Sequence, residues 1–388
     1  MSLENLFAGI TNLSLENVVM MVVGGILIYL AIAKEYEPAL LLPIGIGVII
    51  GNLPLSYMVQ EEGMLYVLKE ATVDNELLPL LIFVGVGAMM DFRPLLAQPF
   101  FALMGAAGQF GIFGTLILAI LLGFPMNEAA SIGIIGAIDG PTSIYVANEL
   151  APHLLGIIAV VAYSYMSLVP IIQPPVMRLL TTREERSTRM EYAPRPVSRL
   201  SLILFPILVT IAVGILVPQA APLIAALMLG NILKESGVVE RLTRASENEI
   251  INVSTLFLGL VVGSTMTGAS FLNLETLYIL GLGLLAFVLD TAAGILFGKL
   301  LYIISGKKIN PLIGAAGISA FPMAGRLVQK IASEEDYSNF VLMHAMGANT
   351  AGQLGSVIAG GVLLALLQPP ASEQMSQIIQ GMLAIWGA

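Results

Sequence analysis

One charged residue, Asp139, stands among the twenty positions 129–148, in the run Gly133-Ile-Ile-Gly136-Ala-Ile-Asp139-Gly140-Pro141-Thr142. The residues around it are as apolar as a membrane interior, where a carboxylate costs on the order of 3 kcal/mol or more unless it faces a polar cavity or a cation. The flanking Gly and Pro interrupt a helix and free backbone carbonyls and amides to bind something. A lone acid on a broken membrane helix is a common layout for a cation or proton site in a transporter. The competing reading is a buried aspartate that caps a helix start after a turn at Gly140-Pro141.

A second polar stretch runs Asn310-Pro-Leu-Ile-Gly314-Ala-Ala-Gly317-Ile-Ser319-Ala-Phe-Pro322-Met-Ala-Gly-Arg326, and a third reads His344-Ala-Met-Gly-Ala-Asn349-Thr350-Ala-Gly352-Gln353-Leu-Gly-Ser356. Asn, Ser and Thr side chains and freed carbonyls are neutral hard-oxygen ligands, and Asp139 adds one negative charge. That set suits a monovalent cation such as sodium, because calcium or magnesium cages recruit more carboxylates. Ser319 serves helix packing as readily as ligation. Asn349 is the stronger ligand candidate, since a buried amide must place several hydrogen bonds. In the otherwise apolar run 154–172, Tyr163-Ser164-Tyr165 brings phenols that need partners. A phenol near a bound cation becomes more acidic and can donate a proton.

These residues need a membrane scaffold. The chain has 388 residues, 57% of them hydrophobic and only 11% charged. Soluble domains carry about 25% charged residues, so the composition specifies an all-α polytopic membrane protein. There is no cysteine, and the two histidines, His153 and His344, lie too far apart for a zinc motif. The net charge of −9 belongs mostly to loop acids and does not point to nucleic acid. Residues 1–16 lack a basic start followed by a cleavage site, so 17–33 is expected to be a first span rather than a signal peptide.

Landmarks recur along the chain. Gly133, Gly136 and Pro141 reappear as Gly314, Gly317 and Pro322, each 181 positions later. Gly51-Asn52 returns as Gly230-Asn231, and Ile82-Phe83-Val84-Gly85 as Leu256-Phe257-Leu258-Gly259. These landmarks, recurring in one order, indicate a duplicated unit. The expected organisation is a first repeat at 17–180, a basic linker at 181–198, a second repeat at 199–366 and a C-terminal segment at 367–388. Apolar runs near 17–33, 39–50, 79–90, 99–122 and 154–177 give five spans, and those near 200–217, 221–233, 251–265, 275–303 and 337–366 give five more. Several are shorter than the roughly 20 residues that cross a bilayer.

Charge orients them. Six arginines between Arg178 and Arg199 put the linker in the cytoplasm, and five acids against Lys69 put 51–78 outside. With an odd number of spans per repeat, the second is inverted relative to the first. Between the fourth and fifth spans of each lies a Gly/Pro-rich segment, read either as ordinary helices bent by glycine or as a re-entrant or broken helix whose tip reaches the midplane.

Gly-Ala-Ile-Asp139-Gly-Pro-Thr, Ala-Tyr163-Ser-Tyr165-Met, Ile-Gln-Pro-Pro-Val-Met-Arg178, the Asn310 stretch and His-Ala-Met-Gly-Ala-Asn349 together resemble the beta subunit of the sodium-translocating biotin-dependent decarboxylases, across nearly the whole chain. The resemblance implies a membrane subunit of a sodium pump that decarboxylates carboxybiotin, consuming a proton and releasing carbon dioxide, and moves sodium outward. It assigns catalysis to Asp139 and Tyr165, sodium to Asp139, Asn310, Ser319 and Asn349, and the carboxybiotin side to Asn310, Gly314 and Arg326. No Ala-Met-Lys-Met site occurs, so the biotin is expected on a partner subunit. The implied partners are a biotin carrier, a carboxyltransferase alpha subunit and a small membrane anchor, in the cell membrane of a bacterium or archaeon; a homo-oligomer of the membrane part stays open. Without the resemblance, a secondary sodium-coupled carrier or sodium/proton antiporter fits the residues equally well.

Overall fold

The computed structural model describes residues 3–35, 37–190 and 196–368; residues 191–195 of the linker and 369–388 of the C-terminal segment lie outside that description. The described residues form helices and no strand. Six helices are long and apolar enough to cross a membrane: α1 (Leu15–Ala33), α4 (Phe101–Leu121), α7 (Pro152–Leu180), α8 (Arg199–Leu216), α11 (Leu274–Ile304) and α13 (Leu342–Leu367). This is a multi-pass membrane protein.

Four further apolar helices sit where short spans were expected: α2 (Pro38–Gly51), α3 (Leu77–Met89), α9 (Ala221–Ser236) and α10 (Ile251–Thr265). At 1.5 Å per residue, none reaches the roughly 30 Å of a hydrocarbon core. α3 is extended by the helical stretch Met64–Val73 across a 59° bend. The short helices solve their burial problem in crossed pairs, α2 against α10 and α3 against α9. Glycine lets the backbones meet: a methyl on Gly263 would strike the Ile44 carbonyl, and one on Gly230 would strike that of Val84.

Both crossings are closed by an asparagine just outside or inside a helix end. Asn52 Nδ2 donates to the Met266 carbonyl at 2.7 Å, and Asn231 Nδ2 donates to that of Met90 at 3.2 Å. Met90 and Met266 are the residues that terminate α3 and α10, so each asparagine satisfies an orphan carbonyl at a buried helix end. In the same crossed manner α7 packs on α11, and α13 on the first turns of α4.

The linker is not a loose basic loop. Arg178 pairs with Glu334 at 2.7 Å, Arg186 with Glu335 at 2.6 Å and Arg189 with Asp336 at 2.7 Å, binding it to the end of helix α12 (Met323–Glu335).

Candidate cation site

Helix α5 (Met126–Gly133) tightens into a 3₁₀ turn at Ile134–Ala137 and then stops. Ile138 turns the chain with φ 54°, a left-handed conformation that costs a β-branched residue on the order of 1–2 kcal/mol. Asp139 then caps α6 (Gly140–Leu150), with Pro141 in the first turn where its missing N–H is harmless. Both readings of Asp139 meet in one residue, since a cap uses little of a carboxylate. Oδ1 receives only the Thr142 amide, at 3.5 Å. Oδ2 accepts from Thr142 Oγ1 at 2.6 Å, Gln353 Nε2 at 2.7 Å and Ser356 Oγ at 2.7 Å. Three charge-assisted bonds hold one oxygen of a buried anion, and the other oxygen is nearly unspent.

A second break faces this one. The 3₁₀ segment Pro311–Gly317 ends at Ile318, and α12 begins after Pro322. Across the gap the Ser319 amide donates to the Ala137 carbonyl at 3.2 Å, so the two interruptions touch backbone to backbone. Ser319 Oγ donates to the Gly352 carbonyl at 2.9 Å. Asn349 Nδ2 holds the Ile318 carbonyl at 2.7 Å, while its Oδ1 is buried with no hydrogen-bond partner. An orphaned amide oxygen is expensive to bury, and a cation is one group that would satisfy it.

Between the breaks lies a cavity of about 280 Å³ lined by Asp139, Gly140, Tyr163, Ser319, Phe321 and Gln353, and also by Glu37, Met89 and Ile251. Tyr163 packs its ring on Gly140, where any side chain would overlap it. Its hydroxyl makes no hydrogen bond to a described residue. Tyr165, two positions on, points to another face of α7: its hydroxyl donates to the Leu280 carbonyl at 2.6 Å, against α11. Successive odd positions on a helix lie about 200° apart, so the pair cannot share the cavity.

The structure therefore brings Asp139 and Ser319 to one cavity, sets Asn349 behind the Ile318–Ser319 turn and leaves the other expected residues apart. Asn310 begins the 3₁₀ segment, accepting from the Leu312 amide at 3.0 Å. Its Nδ2 donates to the linker carbonyls of Arg186 and Thr188, each at 2.9 Å. Gly314 packs on the backbone of Gly294, where a methyl would strike the carbonyl. Arg326 is exposed one turn beyond the cavity residue Met323 and makes no ion pair with a described residue. Gln353, Ser356, Thr142 and Tyr163 complete the site without having been singled out as site residues. For two of them a signal existed: Asn349, Gln353 and Ser356 follow i, i+4, i+7 and so share one helix face. No group of three or more His, Asp or Glu that could hold a metal occurs among the described residues. One carboxylate among neutral oxygens fits a monovalent cation.

The family model of the Na+-transporting oxaloacetate decarboxylase beta subunit matches residues 16–367. Methylmalonyl-CoA decarboxylase subunit beta of Veillonella parvula is 53% identical over 351 residues, covering 90% of this chain and 93% of its own. Glutaconyl-CoA decarboxylase subunit beta of Acidaminococcus fermentans is 51% identical over 351 residues, with the same coverage. The oxaloacetate decarboxylase beta chain of Klebsiella pneumoniae is 44% identical over 417 residues, covering 92% of this chain and 96% of its own. With nearly its full length matched and both breaks inside the matched region, the chain belongs to the Na+-transporting oxaloacetate decarboxylase beta-subunit family.

Proposed function

We propose that this chain is the membrane subunit of a sodium pump in which decarboxylation of carboxybiotin, carried by a partner subunit, drives sodium outward. The observation that carries the reading is the half-used Asp139 carboxylate in a cavity that also exposes a phenol with no hydrogen-bond partner among the described residues. A carrier needs the first feature; a decarboxylase also needs a proton donor. The relatives are named decarboxylase subunits, which favours the pump over a carrier without catalysis. Their names cover three different acids, so the acyl specificity belongs to another subunit, the carboxyltransferase.

In the proposed step the N–CO₂ bond of carboxybiotin breaks, carbon dioxide leaves, and the ureido group keeps the electron pair and takes a proton. Desolvation in the cavity favours loss of the carboxylate's charge. Tyr163 is placed to give that proton, and sodium at Asp139, Ser319 and Asn349 would stabilise the phenolate left behind. Roughly 300 Å³ is the lower end of small-ligand pockets, enough for the bicyclic head of biotin but not for its carrier arm. Arg326, unpaired beside Met323, is a candidate partner for the arriving carboxylate. Asn310 and Gly314 support the second break rather than contacting the ligand. The biotin carrier and a small anchor subunit complete the assembly in a bacterial or archaeal cell membrane.

An inverted duplication accounts for the crossed contacts. Asn52 and Asn231 hold corresponding carbonyls in opposite halves, as expected if the two breaks enter from opposite faces. By the charge rule, Glu37, Met89 and Ile251 lie on the cytoplasmic side, which gives the carrier access to the cavity mouth.

The test is sodium-dependent release of carbon dioxide from free carboxybiotin by the purified chain, with and without its partners; a rate indifferent to sodium would defeat the pump reading. Tyr163→Phe should then cost roughly 10²–10⁴-fold in maximal rate, and Tyr165→Phe less than about tenfold. The opposite ranking would return the donor role to Tyr165.

A further inference from the structure

A second carboxylate lies within the membrane part and takes no part in the site above. Asp290, in the middle of α11, is fully buried. Its Oδ1 accepts from the Gly111 amide, at the start of the second half of α4. Its Oδ2 has no hydrogen-bond partner among the described residues and rests against Gly136, where an added methyl would lie 3.1 Å from that oxygen. The protein donors facing it are backbone N–H groups, which repel a cation, so this is no second sodium site.

Its meaning comes from a counterpart. Gln109 precedes Asp290 by 181 positions, the same offset that separates Gly136 from Gly317. Gln109 Nε2 donates to the Gly317 carbonyl, and also to those of Gly105 and Gly352, each at 3.2 Å. Each half of the chain thus sends one buried polar side chain from its long fourth helix to the corresponding glycine of the other half's broken segment. Gly317 stands two residues before Ser319, and Gly136 three before Asp139.

We propose that Asp290 is a positioning residue for the cation site, fixing the Gly136–Asp139 turn from the second half as Gln109 fixes the Gly317–Ser319 turn from the first. The inference rests on Asp139 being that site. α11 and the second half of α4 then move with the first break, and a displaced turn would misplace the half-used oxygen of Asp139 more than the Tyr163 ring held on α7.

Sodium dependence of decarboxylation by the intact complex tests this. Asp290→Ala removes the tether and should raise the half-saturating sodium concentration by roughly tenfold or more, with the maximal rate at saturating sodium within about threefold of wild type. Asp290→Asn keeps an oxygen for the Gly111 amide and should stay within about threefold of wild type in both parameters. Unchanged sodium dependence in Asp290→Ala overturns the proposal, and so does an Asn variant as impaired as the Ala variant, which would make the charge itself the active element. Should Asp290→Ala fail to accumulate, Gly136→Ala presses the same contact from the other side, and wild-type sodium dependence there overturns it equally. Absence of sodium dependence in the wild type would instead defeat the site reading on which the inference rests.

Discussion

The two broken segments were built to one plan and equipped differently. Each has a 3₁₀ stretch, with two glycines three positions apart in it or at its edge, then an interruption and a helix that leads away. At the first interruption stands Asp139, an anion whose bonds come from Thr142 on its own helix and from Gln353 and Ser356 on α13. At the second stands Ser319, neutral, with the orphaned oxygen of Asn349 close behind the same turn. The second is also moored to the linker through Asn310 and the ion pairs of α12, whereas the first is moored only within the helices. One broken segment thus carries charge and the other neutral oxygens. A cation that binds both joins the two halves, and that is a physical basis for coupling cation occupancy to which face is open.

If that division of labour holds, the largest loss belongs to the charged side. Asp139→Asn should abolish sodium-dependent decarboxylation, with the protein still inserting and assembling, because the amide keeps the cap but removes the carboxylate charge at the break itself. Wild-type turnover and sodium affinity in this variant would break the comparison outright.

Next comes Gly140→Ala. The new methyl must displace the Tyr163 ring, and overpacking of this kind costs about 1–3 kcal/mol. We expect a fall in maximal rate of roughly 10–100-fold with sodium affinity less affected, read from the rate as a function of sodium.

Gln353→Ala and Ser356→Ala each delete one donor to Asp139 Oδ2. Hydrogen bonds to charged groups contribute about 1.5–3 kcal/mol, so the apparent sodium affinity should shift by roughly tenfold while the saturated rate survives. An unchanged sodium requirement in both would mean that the carboxylate orients itself without α13.

The smallest effect is expected on the moored side. Asn310→Ala frees the start of the second 3₁₀ segment from the carbonyls of Arg186 and Thr188, about 1 kcal/mol per bond, but Asn339 holds the same two carbonyls at 3.1 and 3.2 Å. Thermal stability should drop by a few degrees, with a sodium requirement raised less than about fivefold. A loss as deep as that of Asp139→Asn would place Asn310 among the ligands after all.

How much of this was legible beforehand depended on the range of the interaction. The breaks were readable because Gly and Pro act on their own backbone: Gly140-Pro141 is at home at the start of a helix and cannot continue one from before it. Asp139 was readable because its cost is set by the apolar residues beside it in the chain. The short helices could be located but not understood, since their burial depends on partners in the other half, α2 on α10 and α3 on α9. Tyr163 and Tyr165 looked interchangeable, because adjacent letters carry no direction until α7 is docked against α11. Asn310 looked like a ligand beside Ser319, yet an extended 3₁₀ segment of seven residues separates them, and the linker claims its amide.

The sequence by itself determined the membrane class, the family, the two interruptions and the one acid at the first of them, all properties of residue type and local order. Only the tertiary structure decided which oxygens converge on that acid, which phenol shares its cavity, and that Asp290 and Gln109 reach across to the opposite breaks. Most of those facts depend on contacts between residues about 150 to 240 positions apart, and no local propensity encodes them; they arise when glycine-lined helices distant in sequence close on each other and buried polar groups find partners far along the chain.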